Sequence, residues 1–466
     1  MKIEDILNSS SEISVIISQL KQKTFSPRPW ADLIKEYDTQ YHPVNTSSSY
    51  RDKVTKGGIE EVTRVSLAWQ KLAVKRMTEL IFATPPKRIY DTHGNEQEQK
   101  VADIIEDILK RNRYDSLNLK RGVNLFASCE SATIWYGQET PSTYANEKTN
   151  IKLRCATFSP MDNAEIYPLF DEYNDLIALS ISYKRIVNEN EVLYFDTYTQ
   201  NLHIRWKEDV GGWVEELREP ILIGKINGVY IVRKEPIWEN ESKNVYEAEW
   251  TLSRNGNYIR KNAKPVFAVF SDSQTIKYGS SEGEKEHTSR DILQFGSNDK
   301  AQYLSWTQAI ESIKYHIEEL KKNFFMALQL PDMSMENMKA TPMSGEARKM
   351  MFIDAILKVK DEQGIWLEMF DREINVIKAF VKLMYPSLAS AVDSLGVEIE
   401  ITPFTINDES ELVDNLTKAT GGKAIMSQKT AIANLGWVDN VEDELTAIQE
   451  EGLQDTATFM NEITNL

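Results

Sequence analysis

Apolar positions recur three and four apart along most of this chain and at every second position in one middle stretch, so periodicity alone divides it into units. "SSSEISVIISQLKQK" has helical spacing and is cut off by "SPRPW" (26–30), where Pro27 and Pro29 offer no N–H; a loosely attached first helix is expected. From Gly58, the positions Val62, Val65, Ala68/Trp69, Leu72/Ala73, Met77, Leu80 and Ile81 predict one amphipathic helix that ends at Pro85-Pro86. "EQEQKVADIIEDILKRN" and "SLNLKRGVNLFASCES" predict two more, until "ATIWYG" changes to strand character.

Between about 150 and 234 the runs "IKLRCATF", "LIALSISYKR", "VLYFDTYT", "LHIRWKE", "GWVEE" and "GVYIVRK" alternate with period two between turn pieces, which predicts an antiparallel sheet of hairpins. Val245, Ala248/Glu249, Leu252, Asn255/Gly256 and Ile259 then mark a helix, polar for its length, that Lys264-Pro265 stops. Residues 265–303 read as a small mixed piece, with "PVFAVF" strand-like and "YGSSEGEKEHTSRD" a solvated loop. Ser305 and Gln308 stand at capping-box spacing before a helix with a narrow seam of Ile310, Ile313, Ile317, Leu320 and Phe324. Lys314, Glu318 and Lys322 form its solvent or neighbour face.

The stretch "LPDMSMENMKATPMSGEARKMM" (330–351) carries six of the 14 methionines and two prolines between helices, and reads as a connector. Ser344 caps a helix running from Gly345 to about Tyr385, roughly 60 Å long, with Gly364 as a candidate bend. A strand-like "VEIEITPF" and three short helices follow, punctuated by Asp408, Gly421-Gly422, Ser427, Gly436, and Asp439 with Glu442.

A length of 466 residues suits two to four packing units around an α+β arrangement. Two cysteines, Cys129 and Cys155, cannot build a disulfide scaffold, and no window nears 18 consecutive apolar residues, so a soluble chain made in a reducing compartment, with no membrane, is expected. Net charge is -17, and the segment 407–466 holds twelve acids against three lysines. A protein that grips DNA statically presents a basic face; no such face is visible here.

Candidate chemistry is thin. "GSSEG" (279–283) formally matches a nucleophile elbow, with His287 nearby, but it lacks the apolar strand and helix that such a turn needs. Asp332, Glu336 and Lys339 imitate a nuclease carboxylate motif without a strand to hold them beside a metal. "ATGGKAIMS" lacks the first glycine of a phosphate loop and reads as a helix C-cap. The histidines His42, His93, His203, His287 and His316 never fall at metal-ligand spacing, nor do the cysteines. No catalytic residue, metal or cofactor is expected.

From Gly58 onward, "EPIWENESKNVYEAEWTLSRNGNYIRKNAKPVF", "YLSWTQAIESIKYHIEELKKNFFMALQLPDMSMENMK", "SGEARKMMFIDAILKVKDEQGIWLEMFDREINVIKAF" and "INDESELVDNLTKATGGKAIMSQKTAIANLGWVDNVEDELTAIQEE" occur in an order that resembles a tailed-bacteriophage portal protein. That resemblance implies a portal fold: an N-terminal arm (1–57), a helical then β-rich wing (58–238), stem helices (239–264 and 304–330) around a small α/β clip (265–303), a tunnel loop (331–344), a long bent wing helix with its strand (345–404) and a helical crown (405–466). It implies a non-enzymatic ring, usually of twelve subunits, at the portal vertex of the virion, assembled in the host cytoplasm with major capsid and scaffolding proteins. Double-stranded DNA would pass through weakly and non-specifically, facing Met333, Met335, Asn337, Met338, Lys339, Thr341 and Met343. The terminase large subunit and later a tail adaptor or head-completion protein would meet the clip at Ser281, Glu282, Glu284, Lys285, Glu286 and His287. The alternative is a connector or scaffold ring that conducts no DNA.

Overall fold

The computed structural model describes residues 3–8, 12–23, 25–55, 58–262, 266–270, 300–304, 310–331, 352–404, 409–421, 424–438 and 440–451. Its main core lies among the helices Trp69–Phe82, Glu96–Arg111, Tyr114–Ser128 and the long Ile353–Met384. Their periodic faces make these helices: Glu96–Arg111 buries Val101, Ile104, Ile105 and Ile108, and starts at Asn95, whose side chain accepts from the Gln97 N–H. Across the core the Phe82 and Phe126 rings stand steeply inclined to Trp366, with ring centroids 4.7 and 6.0 Å away.

A three-stranded sheet, with Glu130–Tyr144 between Gly228–Val232 and Glu147–Phe158, packs on this helical layer. Five further strands, Glu165–Phe170, Leu176–Val187, Asn190–Thr199, Leu202–Asp209 and Gly212–Pro220, form an antiparallel meander in chain order. Asn188 and Glu189 both take positive φ (49° and 68°), as a two-residue hairpin turn requires. The sequence pattern is right about this sheet region. It does not foresee that the start of "VEIEITPF", with Gly396 before it, forms the strand Gly396–Glu400 and pairs with Lys87–Asp91, joining the chain's later part to its earlier one.

Two expectations are corrected. The first helix is not loosely attached: Ile16, Ile17 and Leu20 of Ile13–Leu20 close over Phe195, Ile204 and Trp206 of the meander, and Lys23 pairs with Glu130 at 3.0 Å. The helix expected from Gly58 starts only at Trp69. Gly58–Glu60 pairs instead with Lys53–Thr55, and 61–68 run without helix along the helix Ser242–Asn262. There the N–H groups of Thr63, Val65 and Leu67 donate to Asn257, Ser253 and Glu249 at 2.6, 2.8 and 2.7 Å. Alternate residues of an extended chain advance roughly 6.6 Å and every fourth residue of a helix about 6 Å, so the two rows stay in step. Those bonds win over the local helical pattern, and they explain why the partner helix is so polar.

The long helix is continuous through Gly364, which is exposed. Helices Glu409–Thr420, Gln428–Leu435 and 441–451 follow. Ser427 caps the second through the Thr430 N–H, and Gly436 ends it at φ 68°. Asn440 accepts from the Glu442 N–H at the third; Ser305, Gln308, Ser344, Asp408, Gly422 and Asp439 lie outside the described residues.

Candidate functional site: a paired-helix stalk

The helices Ser242–Asn262 and Ile310–Ala327 pack side by side, bridged by His316 Nε2 and Glu247 Oε1 at 3.8 Å. The end of the first and the start of the second lead to the antiparallel strands Val266–Phe270 and Lys300–Leu304. Burial falls along this pair. At its root Val245, Ala248, Glu249 and Ser253 are buried on one helix and Phe324 and Phe325 on the other. Trp69 meets Phe324 at 5.6 Å, and Arg76 lies over the Phe325 ring and donates to the Pro331 carbonyl at 3.0 Å. Farther out Ile313, Ile317 and Leu320 are half-buried, while Ile259, Ile310 and Tyr315 are 54%, 65% and 65% exposed.

The root is clamped by groups that sequence reasoning does not single out, because their partners are some two hundred residues distant. His42 is fully buried, with Nδ1 at 2.6 Å from Glu249 Oε1 and Nε2 at 2.9 Å from the Glu36 carbonyl. The Glu36 carboxylate receives Arg28, Trp238 Nε1 and the Ser242 hydroxyl. Burial alone would raise its carboxyl, but these donors outweigh it and hold it below the usual range. In the body, Glu373 is likewise fully buried and accepts from Arg121, Tyr114 and Trp135 at 2.5–2.9 Å. Both clusters are ones that a fold uses to fix elements against each other.

Burial pushes the Cys129 thiol up to about 12 and Cys155 up to about 11, away from a reactive thiolate. Among the described residues no three His, Cys, Asp or Glu side chains are grouped to hold a metal ion, and no helix is long and apolar enough to cross a membrane. Ser281, Glu282, Glu284, Lys285, Glu286 and His287 lie outside the described residues, as do Met333, Met335, Asn337, Met338, Lys339, Thr341 and Met343. Of the sequence-derived site residues the structure therefore places Ile310, Ile313, Ile317, Leu320 and Phe324, in the graded order given above.

A family model described as "Phage portal protein, SPP1 Gp6-like" matches residues 33–457, nearly the whole chain. The chain belongs to that family of phage portal proteins. No curated protein matches it. Among solved structures, a chain titled "Neck of empty GTA particle computed with C6 symmetry" is similar at 9% identity and TM-score 0.42, and one titled "Neck of native GTA particle computed with C12 symmetry" at 11% and 0.38. Each comparison covers 93% of this chain and 100% of the other.

Proposed function

We propose that copies of this chain close into a ring, twelve in number, that forms the portal vertex of a phage capsid and conducts double-stranded DNA during packaging and ejection. In this reading the helix pair is the stem, 265–303 the clip that receives the terminase large subunit and then a tail adaptor, 331–344 the tunnel loop, 345–404 the long wing helix and strand, and 405–466 the crown. Capsid and scaffolding proteins surround the wing. The chain is a structural part rather than an enzyme.

Family membership supports the class. The observation that carries the ring is the uncovered far part of the helix pair: Ile259, Ile310 and Tyr315 are left to solvent by a single chain, and a neighbouring stem is the surface that would cover them. An acidic balance of -17 suits a wall that lets phosphates slide past rather than gripping them. Electron microscopy of the purified chain tests this: rings with an opening that admits a duplex are expected, and a closed particle or a persistent monomer refutes it. Ile310→Asp with Tyr315→Asp should abolish rings while leaving the monomer's thermal midpoint unchanged. Deleting residues 333–341 should spare rings and impair packaging, and Ser281→Ala should impair neither.

A further inference from the structure

Three lysines converge where the long helix approaches its end. Lys378 and Lys382 lie one turn apart on Ile353–Met384 with Asn375 on the same face, and Lys225 comes in from the loop that follows the meander. Together with Asp393 they line a cavity of about 330 Å³. One carboxylate thus faces three ammonium groups. Asp393 pairs with Lys382, and Lys378 spends one of its N–H bonds on the Leu395 carbonyl at 2.5 Å. Lys225 is exposed and makes no ion pair with a described residue.

The position of Lys382 has an ordinary explanation, since a cation in the last turn of a helix meets the negative end of its dipole. That account does not extend to Lys225, which comes from another element, nor to half-buried Lys378. Burial lowers the Lys378 ammonium from its ordinary value, and the fields of Lys382 and Lys225 work in the same direction against Asp393. Like charges held around a recess in an otherwise acidic molecule are stabilised by an anion that fits among them. Ammonium groups recognise phosphate as point charges with several donors each, and the recess has room for one such group.

We propose that Lys225, Lys378 and Lys382, with Asn375 as a neutral donor, form a binding site for a single phosphate group, supplied either as free phosphate or by a nucleic-acid backbone. Neither ring formation nor DNA conduction is required to assemble these lysines within one chain, so failure to bind phosphate would leave the portal reading untouched. Calorimetric titration of the full chain with inorganic phosphate at constant ionic strength should show saturable binding, one equivalent per chain. Because Lys225 is exposed and makes no ion pair with a described residue, Lys225→Gln and Lys225→Glu should fold with unchanged thermal midpoints, yet weaken phosphate roughly tenfold or more, as the loss of a charge-assisted bond predicts. A labelled duplex followed by anisotropy separates the sources: weakened duplex binding in Lys225→Glu assigns the backbone, and unchanged duplex binding beside weakened phosphate assigns the free ion. No saturable phosphate binding, equal binding by the variants, or occupancy only by a peptide of the acidic 442–451 segment would overturn the proposal.

Discussion

Asp196, in the middle strand of the meander, is almost fully buried and still ionised. Burial alone would raise its carboxyl, but His203 and a two-point contact from Arg205 (2.8 and 2.9 Å) outweigh that and hold it at about 2. Because the folded value is depressed below the ordinary 3.8, the resulting stability is present above about pH 4 and lost as pH falls toward 2. Urea unfolding across that window should show a loss of roughly 2 kcal/mol from this group, and Asp196→Asn should flatten that part of the profile. The Arg121–Glu373 pair calls for a different expectation, since both side chains are fully buried. Glu373→Gln should cost about 3–5 kcal/mol by stranding a buried guanidinium. Arg121→Met combined with Glu373→Leu should cost clearly less than the two single changes added together, and denaturant titration of all three variants checks it.

Elements with a single strong periodicity are readable in the sequence, and those whose conformation depends on a remote partner are not. Glu96–Arg111 and the meander hairpins need only their own alternation and turn residues, so their pattern foretells them. The segment 61–68 has Val62 and Val65 at helical spacing, yet what decides it is Glu249, Ser253 and Asn257, 182 to 194 residues further on. The attachment of Ile13–Leu20 was hidden for the same reason, because Phe195 and Trp206 reveal nothing locally about what covers them. Of the candidate site, the two stalk helices could be read from their spacing, whereas the clamp at His42 joins residues 207 apart and could not. Gly364 also changes meaning at this scale. A Cβ there would meet nothing within 4 Å and the helix is continuous, so Gly364→Ala should stabilise the protein by about 0.5–1 kcal/mol in thermal or urea unfolding. Gly228 is the contrasting case, since its Cβ would stand 2.5 Å from Ile134 and 2.8 Å from Leu179; Gly228→Ala should lower stability by roughly 1–3 kcal/mol in the same assay.

At the scale of the molecule, the helices Ile3–Leu7 and Ile13–Leu20 act as part of the body. Removing residues 1–23 would uncover Phe195, Ile204 and Trp206 together, and the truncated chain should bind a hydrophobic dye and unfold at lower temperature than the full one. The strap of residues 61–68 has a mechanical consequence as well. Its three bonds repeat at the pitch of one helical turn, so a shift of less than about 6 Å along the stalk breaks all of them without forming a replacement set. The joint at the stalk's root is accordingly stiff toward small loads and yields in one step. A load applied at the strand pair Val266–Phe270 and Lys300–Leu304 meets the body at this joint, which holds or releases as a unit, like a key in its shaft.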